Sequence, residues 1–327
     1  MKTIFGILIL AGLYARAELP SYDAELTTFA YPYDVKFLEF EGQQQKLKMA
    51  YMDVTPAKPN GQTVMLLHGK NFSGFYWEPT IRLLTDKGYR VVVPDQIGFG
   101  KSTKPSSYQF SFHGLAENTK RWLDHLQIGK VAVVGHSMGG MLAARFARMY
   151  PEATTKLVLV NPIGLEDLRG PVPYTGLTKA YEQELKTTAE SIREYQKQAY
   201  YAGEWKPEYE ALIGAASGWT RHKDYPKVAW NAALTSEMVY TQPVIQEFPL
   251  IKVRTLLIIG LRDRTAPGRH TADPKVAATL GDYPKLGRAA ARAIPKAKLV
   301  ELKGVGHVPQ LESFPEYAKA LTDFLAL

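Results

Sequence analysis

Short apolar runs recur along this chain, separated by helix-length segments, and that alternation restricts the fold more than any other feature. Residues 63–67, 90–93, 131–134, 156–160 and 255–259 are dominated by Val, Ile, Leu and Met, and 298–302 completes the series. Each run is too short for a helix and too uniformly apolar for a sheet with one wet face. Helical patterns fill 77–86, 112–126 and the segment after Ser137, and a last helix is expected at 316–325. Upstream, 35–40 and 47–52 read as two strands around the polar turn Glu41-Gly42-Gln43-Gln44. Such alternation predicts an α/β fold with a mostly parallel sheet covered by helices on both faces. In sheets of this kind function gathers beyond the carboxyl ends of the strands. His68, Ser137, Asp263 and His307 all follow such ends.

One stretch breaks the rhythm. From Asn161 to about Phe248 no buried strand appears, and helices are expected at 177–201, 208–216 and 226–237. The sheet pattern resumes directly afterwards, which favours a helical cap at 162–248 inserted after the sixth strand over a separate helical domain. The core is then 18–161 together with 249–327.

At 327 residues the chain can bury a full core, and its 22% charged and 46% hydrophobic content is that of a globular enzyme. The net charge of +8 is spread out, with no Lys/Arg run, so no nucleic-acid partner is expected. The absence of cysteine excludes disulfides, thiolate metal sites and a thiol nucleophile. No H-E-x-x-H spacing or phosphate-binding loop occurs, so neither metal nor cofactor is expected. Residues 1–17 read as a signal peptide: Lys2, an apolar run at 4–13, then Ala15-Arg16-Ala17 as the cleavage site. That run is well short of the roughly 20 residues that span a bilayer. The expectation is a periplasmic or secreted protein with no membrane span after cleavage. Its oligomeric state is not readable.

Gly135-His136-Ser137-Met138-Gly139 fits G-x-S-x-G, and it stands between the apolar run at 131–134 and a good helix former at 140–147. That strand–turn–helix setting is what a nucleophile elbow requires. A serine needs a base, and the base an orienting acid. Of the seven histidines, His307 lies on the glycine-rich loop Gly304-Val305-Gly306-His307 after the last strand, free to face back across the sheet. His113, His125, His222 and His270 sit on helices or polar loops, His68 is expected to brace its own turn, and His136 to point away from Ser137. Asp263 follows the penultimate strand, whereas Asn161, after the strand before, carries no charge. Asp95 reads as a turn residue. Oxyanion donors are expected from the amide of Met138 and from that of Lys70, with Asn71 as the near alternative.

With these residues in place, the chain resembles the α/β-hydrolase superfamily. The similarity rests on His68-Gly69 after the third strand, Asp95-Gln96-Ile97-Gly98-Phe99-Gly100-Lys101-Ser102 after the fourth, the elbow, and the order Ser137, Asp263, His307. It implies the α/β-hydrolase fold with a helical cap and acyl transfer through an acyl-enzyme. Serine stands where haloalkane dehalogenases and epoxide hydrolases carry aspartate. His68-Gly69-Lys70-Asn71 lacks the glycine run of many lipases, and Gly135-His136-Ser137 is not the Gly-Gly-Ser of proline iminopeptidases.

The reading is an exported serine hydrolase acting on a carboxylic ester or lactone of small-molecule size. The alternatives are the same residues acting as an amidase, exopeptidase or C–C hydrolase, or a catalytically silent binding protein on this fold. Phe72, Tyr76, Trp77, Tyr200, Tyr201, Trp205 and Trp219 could line the substrate pocket or simply pack the cap onto the core.

Overall fold

The computed structural model describes residues 19–327, and the signal peptide expected at 1–17 lies outside the described residues. Its sheet has eight strands: β1 (Val35–Gly42), β2 (Gln45–Val54), β3 (Thr63–Leu67), β4 (Arg90–Pro94), β5 (Val131–His136), β6 (Thr154–Val160), β7 (Arg254–Gly260) and β8 (Ala297–Leu302). Across the sheet the order is β1-β2-β4-β3-β5-β6-β7-β8. The β1/β2 and β2/β4 pairings are antiparallel and the others parallel. From β3 the chain steps outward to β4, then returns to the other side of β3 as β5 and continues that way. The loops leaving β3 and β5 therefore part at the switch point of the sheet, the crevice where open α/β sheets hold ligands.

The helices are α1 (Glu78–Asp86), α2 (Phe112–His125), α3 (Met138–Met149), α4 (Leu177–Glu184), α5 (Ala189–Ala199), α6 (Glu210–Trp219), α7 (Tyr225–Thr241), α8 (Pro274–Thr279), α9 (Tyr283–Ala293), α10 (Pro309–Glu312) and α11 (Phe314–Ala326). Alternation along the buried strands sends successive side chains to opposite faces. Met65, Leu67 and Val133 join Trp122, Leu142, Phe146 and Tyr283 of α2, α3 and α9 on one face. Val64, Leu66 and Val134 join Ile81, Tyr317 and Phe324 of α1 and α11 on the other. No helix among the described residues is long and apolar enough to cross a membrane.

Between β6 and β7 lie α4 to α7. The single helix expected at 177–201 is two, because a capping box starts a new one: the Ser191 amide donates to Thr188 Oγ1 at 3.1 Å and the Thr188 amide to Ser191 Oγ at 2.9 Å. Sequence reading did not foresee α9, whose Pro284 and Gly287 look like breakers. Pro284 falls in the first turn, where its missing N–H costs nothing.

Residues 20–31 form a strap across the molecule. Arg221 Nε donates to the Pro20 carbonyl at 2.8 Å and Trp219 Nε1 to that of Asp23 at 3.0 Å. Lys101 Nζ donates to the Leu26 carbonyl, and the Tyr31 hydroxyl to Asp95 Oδ2 at 2.6 Å. Asp95 also accepts the amides of Gly74 and Lys101, so it organises the turn after β4. Lys104 is buried beside the strap, bonded to the Gly100 and Ser102 carbonyls, with Nζ 5.3 Å above the Trp219 ring. Burial pushes its ammonium down to about 7, against the pull of Asp95, Glu25 and Asp23.

Candidate active site

β5 enters α3 through a turn in which Ser137 holds φ 56° and ψ −122°. A residue with a side chain in that region carries strain of about 1–3 kcal/mol. The turn is held from both sides: the Ser137 amide donates to Val160, and the amides of Gly140 and Ile163 donate to the Ser137 carbonyl. Strand and helix approach so closely that a methyl at Gly135 would overlap the Gly139 carbonyl, and one at Gly139 the carbonyl of Leu67.

His307, on the loop between β8 and α10, reaches back to this turn. The Ser137 hydroxyl donates to His307 Nε2 at 2.9 Å, and His307 Nδ1–H donates to Asp263 Oδ2 at 2.6 Å. Ser137 is 6% exposed, and Asp263 and His307 are fully buried. Asp263 Oδ1 accepts the Thr265 amide at 2.8 Å, and its Oδ2 accepts Asn161 Nδ2 at 2.8 Å. The carboxylate thus meets donors on both oxygens, which fixes its orientation toward His307. Such a line can take the serine proton onto the imidazole and balance the resulting charge.

Asn161 does more than its lack of charge suggested. At φ 36° its Oδ1 accepts the Gly260 amide at 2.8 Å while its Nδ2 holds Asp263, so it ties the end of β6 to the end of β7. Glu312 plays a matching part beneath His307. Its carboxylate accepts the amides of Gly306 and Val308, on either side of His307, at 3.1 Å each, and Arg262 Nη2 at 2.6 Å. Arg262 adjoins Asp263, so one carboxylate joins both loops. Burial raises the Glu312 pKa.

The loop after β3 passes over the serine, since a methyl at Gly69 would lie 3.0 Å from Ser137 Cβ. Met138 is the first residue of α3, whose amino end favours negative charge. Among the described residues neither the Lys70 nor the Met138 amide has a hydrogen-bond acceptor. The Asn71 side chain is engaged elsewhere, donating to the Tyr200 hydroxyl at 2.8 Å, and Lys70 Nζ lies 3.7 Å from Glu184 on α4.

His68 braces its turn: Nδ1–H donates to the Gly69 carbonyl at 2.9 Å and Nε2 accepts the Gln96 amide at 3.1 Å. Burial lowers its pKa and keeps it neutral. His136 points away from Ser137 but returns to the site through His307. Its Nε2–H donates to the His307 carbonyl at 2.8 Å, and its Nδ1 accepts the Tyr76 hydroxyl at 2.9 Å. Burial first, then the neighbouring His307, hold its pKa well below the usual histidine value.

The aromatic residues divide. Tyr200, just past α5, stacks on the His307 ring at 4.5 Å and 28°. Phe72 lies 6.2 Å from Tyr200 and stacks on Tyr76 at 4.6 Å, so it stands at the edge of the site. Three expected lining residues pack elsewhere. Trp77 is fully buried under His136 in the core. Trp205 packs edge-on to Tyr201 and Tyr209 and donates to Glu210. Trp219 is bound to the strap through Asp23. Aromatic content marked this region, but which rings face Ser137 depends on where each helix ends. Among the described residues no cluster of three or more His, Asp or Glu could hold a metal ion.

A family model for the alpha/beta hydrolase fold matches residues 62–314. The crystal structure of a probable hydrolytic enzyme from Pseudomonas aeruginosa PAO1 is 48% identical and superposes with a TM-score of 0.92, over 94% of this chain and 98% of that one. A 2-hydroxy-6-oxo-6-phenylhexa-2,4-dienoate hydrolase from Burkholderia cepacia is 28% identical over 272 residues, 81% of this chain and 88% of its own. A haloalkane dehalogenase from Mycolicibacterium paratuberculosis is 32% identical over 133 residues, 40% of this chain and 44% of that protein. The chain belongs to the α/β-hydrolase fold family and is a hydrolase of that type.

Proposed function

We propose that this hydrolase cleaves a carboxylic ester or lactone through an acyl-enzyme formed on Ser137. The observation that carries the reading is the unbroken line Ser137 Oγ, His307 Nε2, His307 Nδ1, Asp263 Oδ2, with links of 2.9 and 2.6 Å. Ser137 attacks the carbonyl as His307 takes its proton, and Asp263 steadies the imidazolium. The amides of Lys70 and Met138 receive the oxyanion. His307 then hands its proton to the departing alcohol oxygen, and water activated by the same ring releases the acid. The helices at 162–248 act as the cap over this site. The leader at 1–17 supports export to the periplasm or beyond, and an intact mass that retains Met1 in exported material would overturn that part.

A second reading has support from two relatives of the same name, one from Burkholderia cepacia and one from Comamonas testosteroni. The Burkholderia cepacia protein is named for a dienoate carrying ketone and hydroxyl groups, so a C–C bond next to a carbonyl is the alternative target. Assaying purified protein against esters, lactones and vinylogous diketone acids separates the two. Ester turnover together with fluorophosphonate labelling at Ser137 is expected. Ser137→Ala should lose both, with a fall of about 10⁴-fold or more in turnover. Full turnover in Ser137→Ala overturns the nucleophile, and a folded wild-type protein that neither labels nor turns over any substrate is a binding protein instead.

A further inference from the structure

Tyr200 makes three separate attachments to the machinery around Ser137. Its ring stacks on the imidazole of His307 at 4.5 Å between centroids. Its hydroxyl accepts Asn71 Nδ2 at 2.8 Å, next to the Lys70 amide on the loop over Ser137. Its carbonyl accepts the His307 amide at 3.3 Å. The residue is 4% exposed, and burial raises its phenol pKa well above the usual value, so the hydroxyl is un-ionised. Behind it Tyr195 packs edge-on at 5.6 Å, and the chain turns back through Ala202 at φ 53° and Gly203 at φ 88°. A side chain held at ring, hydroxyl and backbone is a fixed wall.

The chemistry says which part of a substrate meets that wall. When the tetrahedral intermediate collapses, the carbonyl carbon keeps its new bond to Ser137 Oγ and loses its bond to the alcohol oxygen. The proton on His307 Nε2 goes to that oxygen. The alcohol must therefore sit within hydrogen-bond distance of Nε2, beside the ring that Tyr200 covers. The acyl chain has no such obligation to His307.

We infer that Tyr200 is the specificity-determining residue for the alcohol portion of the ester, admitting small alcohols and turning away bulky ones. The inference rests on the ester reading. Its second consequence concerns the loop: the Asn71–Tyr200 hydrogen bond holds the segment that carries the Lys70 amide. One residue thus filters the leaving group and steadies an oxyanion donor.

The test uses two ester series on the wild type, Tyr200→Ala, Tyr200→Leu and Tyr200→Phe. One series keeps acetate and varies the alcohol through methyl, butyl, phenyl and 1-naphthyl. The other keeps phenol and lengthens the acyl chain from acetyl to octanoyl. Comparing each variant with wild type on the same ester cancels intrinsic leaving-group reactivity. Tyr200→Ala should raise kcat/KM for naphthyl over methyl acetate about tenfold or more relative to wild type, with acyl-chain preference within twofold. Tyr200→Leu should move the same way by less, which keeps the test valid if the alanine variant folds poorly. Tyr200→Phe keeps the wall, so alcohol preference should stay put while kcat falls severalfold on every ester with little change in KM. An unmoved alcohol preference in both Tyr200→Ala and Tyr200→Leu, or equal shifts in the two series, overturns the assignment. A wild-type protein inactive on every ester, with Ser137 unlabelled, removes the ester reading and this inference with it. Activity in the wild type with unmoved preference in the variants removes this inference alone.

Discussion

Replacing Ser137 by glycine and, separately, by alanine divides the strain of the elbow from the loss of the nucleophile. Both variants lose the hydroxyl that donates to His307 at 2.9 Å, so that contribution cancels in the comparison. What differs is the backbone at φ 56° and ψ −122°. Alanine keeps the crowding that a Cβ suffers there, about 1–3 kcal/mol, and glycine does not. Against this, glycine costs about 0.5–1 kcal/mol more in chain entropy. The glycine variant should therefore be the more stable by about 0.5–2 kcal/mol. For a chain of this length one kcal/mol moves Tm by about 1.5 °C, so the expected gap is about 1–3 °C. Calorimetry and urea unfolding of the two purified variants measure it, and both should be inactive. If the alanine variant equals or exceeds the glycine variant in stability, the turn is not strained and its geometry has been misread.

Asn161→Ala removes one donor from Asp263 and the acceptor of the Gly260 amide. A hydrogen bond to a charged group contributes about 1.5–3 kcal/mol, so kcat should fall about tenfold to a hundredfold with KM nearly constant; an unchanged kcat on a well-folded variant refutes the orienting role. Lys104 supplies a pH-dependent test. Its folded pKa of about 7 lies below the ordinary 10.5, so the unfolded chain holds the proton more tightly. Burying the charge opposes folding at full strength below about pH 7, and that cost fades as pH rises toward 10.5. Wild type should gain stability over Lys104→Met by about 1.4 kcal/mol per pH unit across this window, read by urea titration at pH 6, 8 and 9. A constant difference would mean that Lys104 keeps its ordinary pKa in the folded protein and that burial does not lower it.

Most of the framework could be read without coordinates because it depends on local patterns. Apolar runs bounded by turns mark the strands, and the glycines around Ser137 mark the one place where strand and helix nearly touch. Chain order alone was enough to expect Asp263 and His307 past the last two strands, and the structure brings both into line with Ser137. The supporting groups were less legible. Asn161, His136 and Glu312 act through bonds to residues or loops distant in sequence or on another element, and nothing in their own neighbourhoods announces that. Asn161 even looked like a position lacking its acid, when its uncharged amide is what lets it donate to Asp263 and accept from Gly260. The tryptophans misled for a related reason: an aromatic residue in a helical insertion has several apolar surfaces to choose from, and Trp205 and Trp219 chose others.

The strap has a consequence for how the molecule is completed. Two of its anchors join residues 196 and 201 positions apart, Asp23 to Trp219 and Pro20 to Arg221. During synthesis from the amino end, Leu26 and Tyr31 can meet Lys101 and Asp95 early, but the carbonyls of Pro20 and Asp23 have no partner until α6 and Arg221 have been made and seated. Contacts that close so long a loop form late, since the entropy of closure comes before any reward. The molecule is therefore fastened last at Pro20 and Asp23. Protection of the amides around Asp23 from hydrogen exchange would mark the moment when the rest of the molecule has finished folding.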